Sequence, residues 1–321
     1  MAKTKALLMD TYDTIEQETV RDLEEEFATI NFYKAQKEDE NFTTKLKKAN
    51  IIYGVPGQEE IKKAQNLQWL QLESAGVDRY LDRDLYQNKD VILTNASGVY
   101  GLPISEHILS LILAFNRRLH LHITQKNDHV WQGHRVKKDF AGSVLGIIGL
   151  GDIGKALARR ASALGCEILA VKNNPRQKPE YVKELSGPEG LNRVLKKSDF
   201  VVLALPLTEK TKNIIGQKEL QLMKDDSFIV NIGRGKLIDQ PALIKALEQD
   251  WIAGAGLDVT DPEPLPEDSR LWELENVIIT PHNSGLSPTN WKRKLEIFRE
   301  NLQHFVNDEP LINQVDFERG Y

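Results

Sequence analysis

Residues 144–154, VLGIIGLGDIG, constrain the fold more than any other stretch. An apolar, β-branched run ends in Gly149, Gly151 and Gly154, and Leu157, Ala158, Ala161 and Leu164 follow at helical spacing. Strand, Gly-x-Gly-x-x-Gly turn and helix, in that order, are the setting a dinucleotide-binding site requires. In that setting Gly149 makes the tight turn and Gly151 lets backbone N–H groups approach a pyrophosphate. Gly154 lets the helix pack close on the strand. The helix N-terminus adds partial positive charge toward the phosphates. A purely structural βα turn is the competing reading of the pattern alone.

The rest of the chain supports α/β architecture. Short apolar runs at 6–9, 30–33, 51–54 and 67–72 read as strands, with helical patterns at 21–27 and 59–64 between them. This alternation implies a small parallel unit. A long helical pattern starts at Pro103 and carries His107 on a mostly apolar stripe. Beyond the glycine turn, strands are expected at 168–171, 200–205, 228–232, 253–257 and 277–280. A polar amphipathic helix follows Pro288, and the tail LINQVDFERGY reads as an extended strap. At 321 residues, two domains can each bury a core.

Composition narrows the function classes. A net charge of −5 gives no general pull toward nucleic acid. No apolar run reaches membrane-spanning length, and the start, MAKTKALLMD, lacks a signal-peptide pattern. A cytoplasmic protein is therefore expected. Cys166 is the single cysteine, which excludes an intrachain disulfide and a cysteine-based metal cluster. It is expected to be a buried core thiol. Residues 117–122 are rich in histidine but have no carboxylate or cysteine at supporting spacing, so they read as solvated or interface residues and no metal site is expected. Trp131 reads as a packing or dimer-contact residue.

In an open parallel sheet, ligands bind outside the carboxyl ends of the strands. Arg234, Asp258 and His282 each stand directly after an apolar run, and Glu263 lies in the proline-stiffened DPEPLP loop. One guanidinium, one imidazole and one carboxylate at a common rim suit acid–base chemistry on an anionic substrate. Taken singly, each has a plainer reading as a surface arginine, a structural histidine or a solvated glutamate. Small residues at 74–78 and 95–98 could expose N–H groups to a carboxylate, or could simply be tight turns.

Read together, these motifs resemble the D-isomer-specific 2-hydroxyacid dehydrogenases. The matching segments are SAGVD (74–78), EHILSLILA from Glu106, GIIGLGDIG (146–154), LPLTEKT (205–211), NIGRG (231–235), GLDVTDPEPLP (256–266) and ITPHNSG (279–285). They follow family order and span most of the chain. The resemblance implies two Rossmann-like or flavodoxin-like domains with parallel sheets. The cofactor domain, 99–287, is inserted in a substrate domain made of 1–98 and 288–321.

The resemblance also implies roles. His282 is expected to give a proton to the 2-oxo group as hydride arrives. Glu263 is expected to orient the ring and raise its pKa, and Arg234 to grip the substrate carboxylate. Backbone amides of Ala75 and Gly76 are expected to hold that carboxylate too. The cofactor is expected along Gly149, Gly151, Asp152, Ile153 and Gly154, then Leu205, Pro206 and Thr211. It continues along Ile232, Gly233 and Arg234 to Asp258 and His282 at the nicotinamide end. A homodimer is implied, with 117–140 as its contact.

One departure sharpens the cofactor reading. An NAD-preferring site has an acidic residue about twenty positions after the glycines, bonding the ribose 2′-OH. Here that strand ends in Lys172-Asn173-Asn174-Pro175-Arg176. No carboxylate repels a 2′-phosphate, and Lys172, Asn173 and Arg176 can receive one. NADP(H) is thus expected over NAD(H), with reduction of a small 2-oxo acid of the glyoxylate or hydroxypyruvate type. The alternatives are a nucleotide-sensing, corepressor-like binding protein on the same scaffold and an NAD-dependent phosphoglycerate- or formate-type dehydrogenase.

Overall fold

The structure, a computed structural model, describes residues 3–9, 15–136 and 138–320. Met1, Ala2 and Asp10 of the start, Lys137 of the expected contact segment, and Tyr321 of the expected strap lie outside them. The chain divides into two compact units, Met1–Val99 with Pro288–Tyr321, and Tyr100–Ser287.

The first unit holds strands β1 (Thr4–Met9), β2 (Ile30–Ala35), β3 (Ile51–Gly54), β4 (Trp69–Leu72) and β5 (Ile92–Thr94). They pair in parallel in the order β2-β1-β3-β4-β5. Helices α1 (Gln17–Glu26), α2 (Phe42–Lys48) and α3 (Gln58–Lys63) make the crossovers. On α1, Val20 and Leu23 are buried at helical spacing while the acidic residues face water.

The second unit opens with α4 (Gly101–Asn116) and α5 (Leu119–Asn127). Its strands are β6 (Val144–Ile148), β7 (Glu167–Val171), β8 (Glu184–Ser186), β9 (Phe200–Leu203), β10 (Phe228–Asn231), β11 (Gly254–Leu257) and β12 (Val277–Ile279). All pair in parallel, in the order β12-β11-β10-β9-β6-β7-β8. Chain order reverses between β6 and β9, and that switch point is where open α/β sheets bind ligands. Helices α6 (Asp152–Ala163), α7 (Leu191–Lys197), α8 (Gln217–Leu220) and α9 (Gln240–Glu248) connect them. On α6 the buried face is Gly154, Leu157, Ala158 and Ala161. Burying Leu157 alone contributes about 1.5–3 kcal/mol.

The chain returns to the first unit in α10 (Asn290–Val306), whose Phe298 and Phe305 pack against Trp69 with ring centroids 5.4 and 5.5 Å apart. A buried polar network fixes the segment beyond this helix. Asn301 Nδ2 donates to Gln71 Oε1 (2.9 Å), and Asn301 Oδ1 accepts from the Ile312 N–H (2.7 Å).

Three features go beyond the reading of the sequence. The tail is strap-like only along β5, where the Asn95 N–H donates to the Asn313 carbonyl (3.2 Å), the Val315 N–H donates to the Leu93 carbonyl (2.8 Å) and Gln314 bridges Thr94; it then turns around the Asp316 carboxylate. The histidine-rich stretch is part of helix α5, which follows a left-handed Arg118 (φ 59°). Strand β8 was missed, since three residues at a sheet edge carry no alternation to read. Cys166 is buried as expected; burial pushes its thiol up to about 12, and Sγ donates to the Ser143 carbonyl at 3.0 Å. Among the described residues no helix is long and apolar enough to cross a membrane.

Candidate active site

The glycine turn closes β6 onto α6. Gly149 has φ +106°, and a Cβ there would stand 2.2 Å from the Ala204 carbonyl oxygen, so no other residue fits. A Cβ at Gly154 would stand 2.1 Å from the Gly149 oxygen, which is the close helix–strand approach its spacing predicts. Gly151 differs: nothing lies within 4 Å of its Cβ position. The N-terminus of α6 is thereby left open where a pyrophosphate would approach. The Asp152 carboxylate turns toward α4, 2.9 Å from the Cβ position of Gly101. This leaves the Asp152 and Ile153 amides as the groups such a ligand would meet.

Beyond β7, Lys172 is half-buried while Asn173 and Arg176 are exposed. Beyond β9, Leu205 is half-buried and Pro206 exposed. The Thr211 hydroxyl is engaged within its own loop, donating to the Pro206 carbonyl (2.8 Å) and accepting from the Thr208 N–H (2.8 Å).

Beyond β10, Asn231 shapes the turn that carries Ile232, Gly233 and Arg234. Its side-chain oxygen accepts from the Gly233 N–H (3.1 Å) and its amide donates to the Arg234 carbonyl (2.8 Å). A Cβ at Gly235 would fall 2.0 Å from the Thr260 carbonyl oxygen. Glycine at 235 thus lets the Arg234 turn lie directly against the start of the loop that holds Glu263.

Asp258 is buried beyond β11 and clamps the loop after β12. Its Oδ1 accepts from Thr280 Oγ1 (2.7 Å) and the Asn283 N–H (3.0 Å); its Oδ2 accepts from the Ser284 N–H (3.1 Å). Its backbone carbonyl accepts from the His282 N–H at 2.8 Å. His282 sits in the left-handed region, φ 51°, a conformation that a non-glycine residue keeps only when its surroundings enforce it. Glu263 bridges the loops: Oε1 accepts from the Thr260 N–H (3.2 Å), and Oε2 stands 2.9 Å from His282 Nδ1. With Nδ1 engaged, Nε2 is the ring nitrogen able to hold a transferable proton. Both side chains are open to solvent, 49% exposed for His282 and 37% for Glu263.

The second unit therefore brings Glu263 and His282 into contact and sets the Arg234 turn against the Glu263 loop. Ala75 and Gly76 lie in the first unit, in the turn after β4. That turn is held by Asn95 Nδ2 donating to the Ala75 carbonyl (3.0 Å) and by Ser74 Oγ donating to the Gly76 carbonyl (2.8 Å). Sequence reasoning missed Asn231 and Thr280. The available signal was a polar residue at the very end of each apolar run.

The residues fit a nicotinamide dinucleotide. The open Cβ position at Gly151 marks a cradle, and Asn283 Oδ1 is a buried acceptor with no hydrogen-bond partner among the described residues.

Comparison with known proteins agrees with this geometry. Residues 109–284 match the family model described as the D-isomer specific 2-hydroxyacid dehydrogenase, NAD binding domain. A glyoxylate reductase of Korarchaeum cryptofilum is 39% identical over 240 residues, 70% of this chain and 70% of the relative. Another, of Thermococcus onnurineus, is 45% identical over 233 residues, 68% of this chain and 67% of the relative. A crystal structure of a D-isomer specific 2-hydroxyacid dehydrogenase from Xanthobacter autotrophicus, in complex with NADPH and MES, covers 99% of this chain and 100% of its own. It is 28% identical, with a TM-score of 0.83.

Proposed function

The chain belongs to the D-isomer-specific 2-hydroxyacid dehydrogenases, NAD(P)-dependent oxidoreductases, and from that premise we propose that it reduces a small 2-oxo acid of the glyoxylate or hydroxypyruvate type, with NADP(H) preferred. The bound cofactor supplies the hydride to the carbonyl carbon. His282 gives the proton to the carbonyl oxygen from Nε2, so the product is the 2-hydroxy acid, of D configuration. Glu263 holds the ring through Nδ1 and so orients Nε2 toward the substrate. Arg234 grips the substrate carboxylate with its planar fork. In the first unit, the Ala75 and Gly76 amides are proposed as carboxylate donors. The same unit is the proposed substrate domain, and the second the cofactor domain.

The observation that carries this reading is the Glu263–His282 pair, 2.9 Å apart on loops clamped at the carboxyl ends of β11 and β12. For NADP(H), the support is Lys172 and Arg176 standing where an acidic residue would otherwise mark the ribose. The Xanthobacter relative is seen with NADPH. Steady-state reduction of glyoxylate, hydroxypyruvate and pyruvate with each cofactor tests both parts. The expected result is turnover of the first two and a higher kcat/KM with NADPH. No turnover of any 2-oxo acid overturns the reading, and a kcat/KM favouring NADH overturns the cofactor preference.

A homodimer is proposed through α5 and the segment after it, where Leu119, Ile123, Val130 and Trp131 are exposed apolar residues. Trp131→Asp is expected to shift the mass measured by light scattering from dimer to monomer. A monomeric wild-type protein overturns the proposal.

A further inference from the structure

One face of α4 runs along one strand of the second unit, rung against rung. Gly254 and Gly256 of β11, and Asp258 just beyond it, are alternate residues on one side of the strand. Phe115, Leu111 and His107 are four apart on α4 and share a helix face. A Cβ on Gly254 would stand 2.4 Å from Phe115 Cε2, and one on Gly256 would stand 3.3 Å from Leu111 Cδ1. At the third rung His107 Nε2 stands 3.7 Å from Asp258 Oδ1. Two strand residues advance about 6.6 Å and four helical residues about 6 Å, so the spacings keep step. The two glycines allow the helix to lie close, and the closeness delivers an imidazole to the carboxylate.

Thr280 completes the third rung. His107 Nε2 is 3.0 Å from Thr280 Oγ1, and that hydroxyl donates to Asp258 Oδ1 at 2.7 Å. A hydroxyl has one proton, already given to the carboxylate, so His107 Nε2–H is the donor to Thr280. Burial lowers the pKa of His107 while the charge of Asp258 works against that shift, and a neutral ring with its proton on Nε2 satisfies the geometry. The Asp258 carboxylate in turn receives the Asn283 and Ser284 amides, and the Asp258 carbonyl receives the His282 amide.

We propose that His107 is a positioning residue for His282, acting through Thr280 and Asp258 to hold the 280–284 loop in the conformation that presents the His282 imidazole. This rests on the reading of His282 as the proton donor. Without the His107 donor, the Thr280 hydroxyl is held only by its bond to Asp258, and the loop that enforces the left-handed backbone of His282 loosens. Small misplacements of a proton donor cost rate steeply.

The test compares the wild type with His107→Ala, His107→Gln, Thr280→Val, His282→Ala and the His107→Ala/His282→Ala double variant. Two readouts are taken: steady-state reduction of the best 2-oxo acid, and the His282 ring resonance in NMR spectra. His107→Ala is expected to lower kcat about ten- to a hundredfold with KM within about threefold, and to move the His282 resonance. His107→Gln, which keeps an N–H donor, is expected to restore both. The double variant is expected to be no slower than His282→Ala. Thr280→Val, close to isosteric, carries the test should His107→Ala fail to fold. An unmoved His282 resonance with kcat within twofold of the wild type overturns the proposal, as does a further loss in the double variant. Full turnover by His282→Ala overturns the reading of His282 instead, and the ring resonance still decides whether His107 positions it.

Discussion

The two ends of the parallel sheet in the second unit both carry charged groups, and they are built in opposite ways. At the amino ends of β6, β9 and β10, Asp199 Oδ1 accepts from Lys138 Nζ (2.7 Å) and Lys224 Nζ (2.9 Å). Its Oδ2 accepts from the Val144 N–H (2.8 Å). Lys138 also pairs with Asp226 at 2.8 Å. Each charge there has an opposite partner, and the Asp199 side chain is only 12% exposed. At the carboxyl ends, His282 and Glu263 stay open to water. The groups that are fully engaged there, Asp258 and Asn231, hold loops. Charge at one end ties strands together; at the other it stays open to solvent. The fold is indifferent to the distinction, since chemistry belongs to the site and not to the scaffold.

If that contrast is right, damage at the two ends should separate into rate and stability. The largest effect is expected from His282→Ala, a loss of about 10²–10⁴ in kcat with cofactor binding and melting temperature nearly unchanged. Near-normal turnover would end the assignment. Asp199→Ala should do the reverse. It takes the Asp199 partner from Lys224 and from the Val144 amide and leaves Lys138 with Asp226 alone, costing about 2–3 kcal/mol in a urea unfolding titration, with kcat within twofold. A stable, slow variant would dissolve the comparison. A smaller, intermediate effect is expected from Lys172→Ala with Arg176→Ala. Loss of both cations should weaken NADPH by about tenfold, leave NADH within twofold and leave stability alone. Equal weakening of both cofactors would mean these residues do not meet a 2′-phosphate.

The two ends also differed in how far the sequence could be read. The placement of residues at the carboxyl ends was legible because its signals are local. A glycine pattern between strand and helix names a phosphate turn, and Arg234, Asp258 and His282 each follow an apolar run. The amino end was illegible because Lys138, Asp199 and Lys224 are distant in sequence and meet only when three strands are parallel and adjacent. His107 was legible as a helix residue and nothing more, since its partner lies 173 positions away. The Gln71–Asn301 contact at the base of the tail was illegible for the same reason, since it spans 230 positions. Local pattern gave most strands and the main helices; β8 and the pairing across elements had to be seen.

The smallest expected effect concerns acid. Burial alone would raise the Asp199 carboxyl, but hydrogen bonds from Lys138, the Val144 amide and Lys224 hold it below the usual carboxylate range. A carboxylate depressed in the folded state stabilises the protein above its unfolded pKa, and that stability is lost as pH falls through the folded value. For Lys138, desolvation lowers the pKa but its bonds to Asp199 and Asp226 raise it further, so its contribution is lost at the alkaline end instead. The difference in unfolding free energy between wild type and Asp199→Ala should therefore be flat near neutrality and shrink below about pH 4. At the carboxyl ends Glu263 and His282 are solvent-open, so Glu263→Ala is expected to cost much less unfolding free energy than Asp199→Ala near neutrality. Equal losses from the two variants would show that the charges at both ends serve stability alike. A loss confined to Asp199→Ala, shrinking in acid, would locate the structural ion pairs at the amino ends.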